Sequence, residues 1–458
     1  MSRHCDRIRR VNLRTRRAVA ALSASAVALG TAAATVPAAN ADYSKSITIV
    51  GTSDVYDSGL MQYLQPIYEK DTGATYNYVS KGTGDAIAYA EAGTASVLLV
   101  HAASLENQFV AQGYSLEKFG RSVFWGDYVL AGPTSDPAGV AADSHDIVGA
   151  LEKVAAAGNA GTADFVSRGN TAGTPVQEHQ LWALANGTKC DISATNGGGQ
   201  VPSTGSGTCN ASGTGGSLPA WYHKTGLTQG PNITNASACN YGRGQDCYVF
   251  TDRGTFQYLQ STGQAQNMKI LVRDNAAASR GNQAALVNAF HAYAINGSKV
   301  PAGNAVSRAG ALKFLNWLTS SAGQKAVEGY LSTDSPFIPA ASPEVSVGQV
   351  RTQVHRGAKL RFAGRVTNAI PGYPTLAKVN VKLIQVTGYG KHKKQKVVAR
   401  KHTTRYGFYA ISYKPKKTAR YYVRVGPHTR VENRSLSPIF GDLLQAGTSQ
   451  VMPVKVKR

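Results

Sequence analysis

A chain of 458 residues is too long for one ordinary domain and long enough for two or three. Its formal net charge of +23 is unevenly placed: residues 42–344 hold 18 Lys/Arg against 23 Asp/Glu, whereas residues 345–458 hold 24 against 2. A mildly acidic body therefore carries a strongly basic tail, and the absence of a long apolar run after the N-terminus excludes a helical membrane span in either part.

The N-terminus reads as an export signal. Met1–Arg17 carries seven arginines and one acid, Ala18–Ala34 is an uncharged alanine-rich run, and Ala39-Asn40-Ala41 has the small-x-small form of a cleavage site. The mature chain is then expected to start at Asp42, exported and either extracellular or associated with the envelope. Pro37 and the alanine content make this run a poor membrane anchor, and Cys5 precedes it, so it is not a lipid-attachment cysteine. Arg9-Arg10 leaves Sec and twin-arginine export both open.

Ser46–Val50 reads as a strand and Gly51-Thr52-Ser53-Asp54 as the loop after it. Asp57-Ser58-Gly59 caps a helix over Leu60–Thr72, whose apolar residues recur at helical spacing. A strand over Ala74–Val79, the turn Lys81-Gly82-Thr83-Gly84-Asp85, a helix over Ala86–Gly93 and a strand over Ser96–Val100 ending at His101 repeat the pattern. Strand, loop and helix in this order indicate βαβ units and a parallel sheet, with ligands at the carboxyl ends of the strands, where Thr52, Ser53 and Thr83 fall.

A strand over Phe124–Ala131 leads to a crossover turn, Gly132–Pro137, and a second α/β unit of about 132–272. Within it, Phe165-Val166-Ser167-Arg168-Gly169-Asn170-Thr171-Ala172-Gly173-Thr174 is a hydroxyl- and glycine-rich turn before a helix over Val176–Leu184. A helix start offers unpaired N–H groups and partial positive charge, and Arg168 adds a fork suited to an oxyanion. Asn186–Leu218 reads as a surface insertion, and the disulfide-bearing stretch extends it to 186–247. The cysteines after the signal, Cys190, Cys209, Cys239 and Cys247, suit disulfides better than zinc and allow three pairings. The local one, Cys190–Cys209 with Cys239–Cys247, is favoured, and no metal site is expected. Further strands are expected over Cys247–Phe250 and Ile270–Val272, and helices over Ala284–Asn296 and Ala305–Ser320. Two lobes flanking a cleft, together 42–341, account for this order.

From about Pro343 the period changes to two. Lys359–Gly364, Val379–Ile384, Phe408–Tyr413 and Tyr421–Val425 alternate between turn residues, as in an all-β sandwich over 342–458 with one solvated face. Lys391–Lys401, with six cations, reads as a hairpin tip or exposed loop.

These residues resemble the tungstate-binding proteins of ABC transporters over roughly 46–340. The matching stretches are Asp57-Ser58-Gly59-Leu60, Gly82-Thr83-Gly84, Val97–Ala102, Phe165–Gly169, Gly173-Thr174, Leu181-Trp182, Trp221-Tyr222, Thr251–Thr255 and Phe314–Leu318, in that order. The resemblance implies a type II periplasmic-binding-protein fold closing over a tetrahedral oxyanion, most simply tungstate or molybdate, with an ABC permease as partner. The tail resembles the immunoglobulin-like domains attached to exported bacterial proteins. The family's Ser-Arg-Gly-Asp-x-Ser-Gly-Thr motif maps onto Ser167–Thr174, with Arg168 and Thr174 as contacts; Asn170 replaces the acid and Ala172 a serine. Its Thr-Thr-Thr-Ser loop maps onto Gly51–Asp54 without a gap, placing Asp54 where a hydroxyl stands. With one inserted residue it ends instead on Thr52-Ser53, and Asp54 moves outward.

That choice has weight. Two unit charges 4 Å apart repel by roughly 4 kcal/mol at an effective dielectric of about 20, and a dianion feels about twice that. An ionised Asp54 against the ligand would defeat tungstate, but would suit a phosphate-type oxyanion that carries a proton. The expected oxyanion set is Thr52, Ser53, Thr83, Ser167, Arg168 and Thr174, with Asp54, Asn170 and Arg253 as modulators. No nucleophile–base pair, H-E-x-x-H or P-loop is present, so a binding protein without cofactor is expected rather than an enzyme. The alternative is a wall-associated interaction protein that keeps the fold with a degenerate site. The basic tail suits an anionic wall polymer or membrane surface, whereas nucleic acid lacks a recognisable reading motif.

Overall fold

The computed structural model describes residues 45–209, 218–242, 246–302, 304, 306–431 and 441–458. The segment read as an export signal lies outside them. Among the described residues no helix is long and apolar enough to cross a membrane.

The first lobe starts with β1 (Ser46–Thr52), α1 (Ser53–Asp57), α2 (Leu60–Thr72), β2 (Thr75–Lys81), α3 (Thr83–Glu91), β3 (Val97–Val100) and α4 (Ala103–Ala111). A long strand, β4 (Gly120–Pro133), then carries the chain into the second lobe: α5 (Ile147–Asn159), β5 (Asp164–Ser167), α6 (Gly173–Leu184), β6 (Lys189–Asp191), β7 (Gln200–Pro202), β8 (Tyr222–Lys224), α7 (Gln229–Ala238), β9 (Cys247–Asp252), α8 (Arg253–Ser261) and β10 (Met268–Val272). The chain returns through β11 (Val287–Ala294), α9 (Arg308–Leu318), α10 (Ser321–Gly329) and β12 (Phe337–Pro339). One sheet runs through both lobes in the order β2-β1-β3-β11-β4-β9-β5-β8. The pairs β1–β2, β1–β3, β5–β9 and β5–β8 are parallel, and within this order β11 runs antiparallel to β3 and β4, and β4 antiparallel to β9. The first half of β4 pairs with β11 and β12 and its second half with β9 and β10, so this strand joins the lobes.

Three expectations are corrected here. Ala284–Asn296 is not a helix: a short turn of 3-10 helix gives way to β11. Phe290, Ala292 and Ala294 pack into the core on one face of the sheet, and Tyr293 packs into the core on the other. A strand buried on both faces loses its alternation and cannot be told from a buried helix by period. Ser53–Asp54 is not loop but the start of α1, directly after the strand. Only the first part of 186–247 is an insertion, carrying the small β6–β7 ladder; β8 and α7 belong to the lobe itself. Cys190–Cys209 and Cys239–Cys247 are disulfide-bonded, with Cα–Cα distances of 5.3 and 5.5 Å.

The tail comprises β13 (Glu344–Val345), β14 (Gln353–His355), β15 (Leu360–Thr367), β16 (Asn380–Thr387), β17 (Lys394–His402), β18 (Phe408–Tyr413), β19 (Ala419–Val425), β20 (His428–Val431), β21 (Gly441–Leu444), β22 (Gly447–Thr448) and β23 (Met452–Lys457). Sheets β13-β15-β18 and β14-β23-β19-β16-β17 enclose one core that includes Phe362, Val381, Leu383, Tyr421 and Val423. The basic stretch expected as a hairpin tip or loop is a tight turn followed by β17, an edge strand of 9 residues. One hairpin leaves this domain. Strand β21 pairs parallel with the start of β4, Asp442 opposite Gly120 and Leu443 opposite Arg121.

The hairpin is fastened by buried charge. Arg430 forks onto Asp442 at 2.7 and 2.8 Å, His291 of β11 lies 3.6 Å from Asp442 and 2.9 Å from Glu106 of α4, and Tyr293 donates to Glu106 at 2.7 Å. Burial disfavours charge on His291, but Glu106 outweighs it and holds the ring above its ordinary pKa.

Candidate functional site

The first lobe brings three hydroxyls to the cleft. Thr52 ends β1, Ser53 starts α1 and Thr83 starts α3, so all three stand where a strand gives way to a helix. Each is at most 2% exposed, and none of the three hydroxyl oxygens has a hydrogen-bond partner. A buried hydroxyl left unpaired costs on the order of 1–3 kcal/mol, so three together in one cleft point to a ligand that would satisfy them. The start of α3 has no side-chain cap, so no capping side chain occupies its first backbone N–H groups.

The second lobe supplies the cation. Arg168 follows β5 and is 3% exposed. Its Nε donates to the Leu227 carbonyl at 3.1 Å and its Nη1 to Gln229 Oε1 at 2.7 Å, which fixes the plane of the fork. Gln229, at the start of α7, also accepts from Thr174 Oγ1 at 3.1 Å and donates to Thr251 Oγ1. Ser167 donates to Glu178 Oε2 at 2.8 Å. Glu178 also accepts from Tyr222 and Trp182, and burial pushes it up to about 7 against these bonds. Asn170 caps its own turn through Ala172 N at 3.1 Å.

The lobes touch across the cleft. Gly84 N donates to Thr171 O at 3.2 Å, Gly230 N to Asp57 Oδ2 at 2.9 Å, and Thr255 Oγ1 to Asp54 O at 3.3 Å. Gly173 opens α6 without a side-chain cap, and a Cβ there would lie 2.3 Å from His101 Cε1. Only glycine permits that approach between the second lobe's helix start and the first lobe.

Asp54 is 1% exposed, and its oxygens are engaged: Oδ1 accepts from Val55 N at 3.0 Å, while Oδ2 meets His101 Nε2 at 3.0 Å and Asn288 Nδ2 at 3.3 Å. His101 Nδ1 in turn lies 2.7 Å from Tyr128 OH. Burial alone would raise Asp54, but His101, with smaller contributions from Thr52 and Arg168, more than offsets it and the carboxyl lies below its ordinary pKa. Asp54 is thus an ionised group whose oxygens are held by neighbours. Asp252 differs. Its Oδ1 accepts from Thr255 N at 2.7 Å, its Oδ2 has no partner, and burial with Asp54 nearby raises its pKa. Asp57 is also raised by burial. Burial lowers the Arg168 guanidinium, against the pull of Asp54, Asp57 and Asp252.

The structure therefore brings Thr52, Ser53, Thr83, Arg168 and Thr174 to the lobe interface, with the Ser167 and Thr174 hydroxyls committed to Glu178 and Gln229. Arg253 is elsewhere: its Nε pairs with Asp127 at 2.7 Å and its Nη1 reaches Asp334 at 3.2 Å, which ties α8 to β4. Asp57 does not cap α2, whose start is Gly59 in a left-handed conformation (φ 81°); it reaches across the cleft instead. Gln229, Asn288 and Tyr128 went unread in the sequence, since a lone polar residue in an apolar strand or at a helix start carries no spacing signal.

Two α/β lobes on a shared sheet, in contact over an arginine, helix starts and unpaired hydroxyls, define a small-anion-binding protein. Residues 32–322 match the PBP superfamily domain, and the chain belongs to that superfamily. A putative ABC transporter anion-binding protein of Haloferax volcanii is 30% identical over 301 residues, covering 66% of this chain and 73% of that one. A tungstate-binding protein, TupA of Peptoclostridium acidaminophilum, is 41% identical over 138 residues, 30% of this chain and 46% of that one, so the match spans under half of that relative. The solved tungstate-binding protein TupA from Desulfovibrio alaskensis G20 is 29% identical, with a TM-score of 0.46, covering 64% of this chain and 98% of that one.

Proposed function

We propose that this protein captures a tetrahedral oxyanion, tungstate or molybdate, between its lobes for delivery to an ABC importer. The observation that carries the reading is the set of unpaired buried hydroxyls on Thr52, Ser53 and Thr83, together with Arg168 across the cleft. The names of the Haloferax and Peptoclostridium relatives support it. The ligand would accept hydrogen bonds from these hydroxyls and from the starts of α3 and α6, with Arg168 balancing its charge. Asp54 does not oppose this, because His101 and Asn288 hold the oxygens that would otherwise face an anion.

One observation favours a second reading. Asp252 Oδ2 is buried and without a hydrogen-bond partner, and in its ionised form it would accept from a ligand that offers a proton, as hydrogen phosphate does. Thermal unfolding of the protein with tungstate, molybdate, phosphate and sulfate separates the two. A rise in Tm with tungstate and molybdate is expected; a rise with phosphate alone selects the second reading, and no rise with any of the four removes both.

A further inference from the structure

The tail displays its charge in a pattern that its own fold does not use. Asp442, one of two acids in residues 345–458, is taken up by Arg430 and His291 in the hairpin, so the sandwich itself has almost nothing to neutralise its cations. Cross-strand register makes this worse. Lys382 of β16 stands opposite Arg400 of β17 on one side and opposite Arg424 of β19 on the other, a row of three cations on adjacent strands. Like charges directly opposite destabilise a sheet, so nothing in the tail's folding accounts for the row.

On the next residue of the same edge strand, Lys401 lines a groove of about 780 Å³ together with Arg361, Arg365, His402, Phe408 and Tyr409. Strand β17 thus presents cations to both of its sides, and Lys394, Lys396, Arg400 and Lys401 are all exposed. Two exposed rings at this end of the domain each carry a guanidinium on one face, Arg365 over Phe408 at 5.1 Å and Arg405 over Tyr406 at 4.6 Å.

We infer that the groove between β15, β18 and β17 binds a phosphodiester-linked polyol or sugar polymer of the cell envelope. Charge complementarity selects a polyanion, and Arg361 and Arg365, both lining the groove from β15, suit phosphate oxygens. A concave groove beside an extended edge strand fits a chain rather than a flat bilayer, and no amphipathic helix is present in the described tail to enter one. Nucleic acid is disfavoured because the tail carries no recognisable reading motif. Retention by this route is independent of which oxyanion the cleft takes.

The test uses the full chain and poly(glycerol phosphate), with binding measured over a salt series. Binding at low salt that weakens steeply as salt rises is expected. The double variant Arg361→Glu/Lys401→Glu should bind at least tenfold more weakly, and the milder Arg361→Gln/Lys401→Gln several-fold more weakly, with unchanged thermal melts. Arg351→Glu/Lys455→Glu, an equal charge change on the β14–β23 side, should weaken binding less than threefold. Absence of binding at low salt, equal losses in the two Glu variants, or tighter binding to anionic phospholipid vesicles or single-stranded DNA of equal charge would each overturn the inference.

Discussion

The body and the tail of this protein handle charge in opposite ways. In the body, Arg168 sits among Asp54, Asp57 and Asp252, and buried Arg253 is locked to Asp127. Burying such groups is costly unless the geometry is fixed, so the arrangement suits a small ligand met by a few preset partners. In the tail, cations stand in rows on exposed strands with hardly any acid nearby. Exposed charge of this kind adds little to stability and gives a long-range field, which suits a polymer. The two styles meet where Arg430 and Asp442 dock beside His291 and Glu106.

The comparison is broken most severely by Arg168→Ala. Removing the cation leaves three carboxylates around the cleft, and oxyanion affinity measured by calorimetry should fall about a thousandfold, roughly 4 kcal/mol. A loss under threefold would mean that the body does not use its buried charge for the ligand. Asp442→Asn tests the junction. Breaking a buried charge pair should lower stability to denaturant by about 3 kcal/mol while leaving oxyanion affinity unchanged within threefold; unaltered stability would show that the hairpin is held by something else.

Glu178 sharpens the same contrast through pH. Its folded pKa, about 7, lies above the ordinary carboxyl value of 4.5. Below pH 4.5 both states are protonated and there is no effect. As pH rises towards 7 the unfolded chain ionises first, so stability falls, and above 7 the loss is complete. Wild type should therefore lose up to about 3 kcal/mol between pH 4.5 and 8 that Glu178→Gln does not lose. Parallel pH profiles for the two proteins would contradict this. The smallest effect is expected for Thr83→Ala, which removes one neutral donor: about a fivefold drop in affinity, near 1 kcal/mol, with stability equal to or above wild type.

What could be read from the sequence follows from how each feature is encoded. The helix over Leu60–Thr72 and the strand over Phe408–Tyr413 have one wet face, so their periods are visible, and the structure places them at those residues. Strand β11 is covered on both faces and carries no such period, so it reads as a helix. The Ser167–Thr174 turn is written in consecutive residues and could be located. The partners that complete it are not: Gln229 meets Arg168 from 61 residues away, and Asn288 meets Asp54 from 234. Nor does any local pattern say that Asp54 would turn to His101, or that a hairpin of the tail would join the first lobe's sheet.

The most direct test of the central claim is titration of tungstate into the wild-type protein by isothermal calorimetry at neutral pH. One tungstate per chain should bind with a clear heat that the Arg168→Ala variant lacks. Absence of heat from the folded wild-type protein, or equal heats from the two proteins, would contradict the assignment of the cleft.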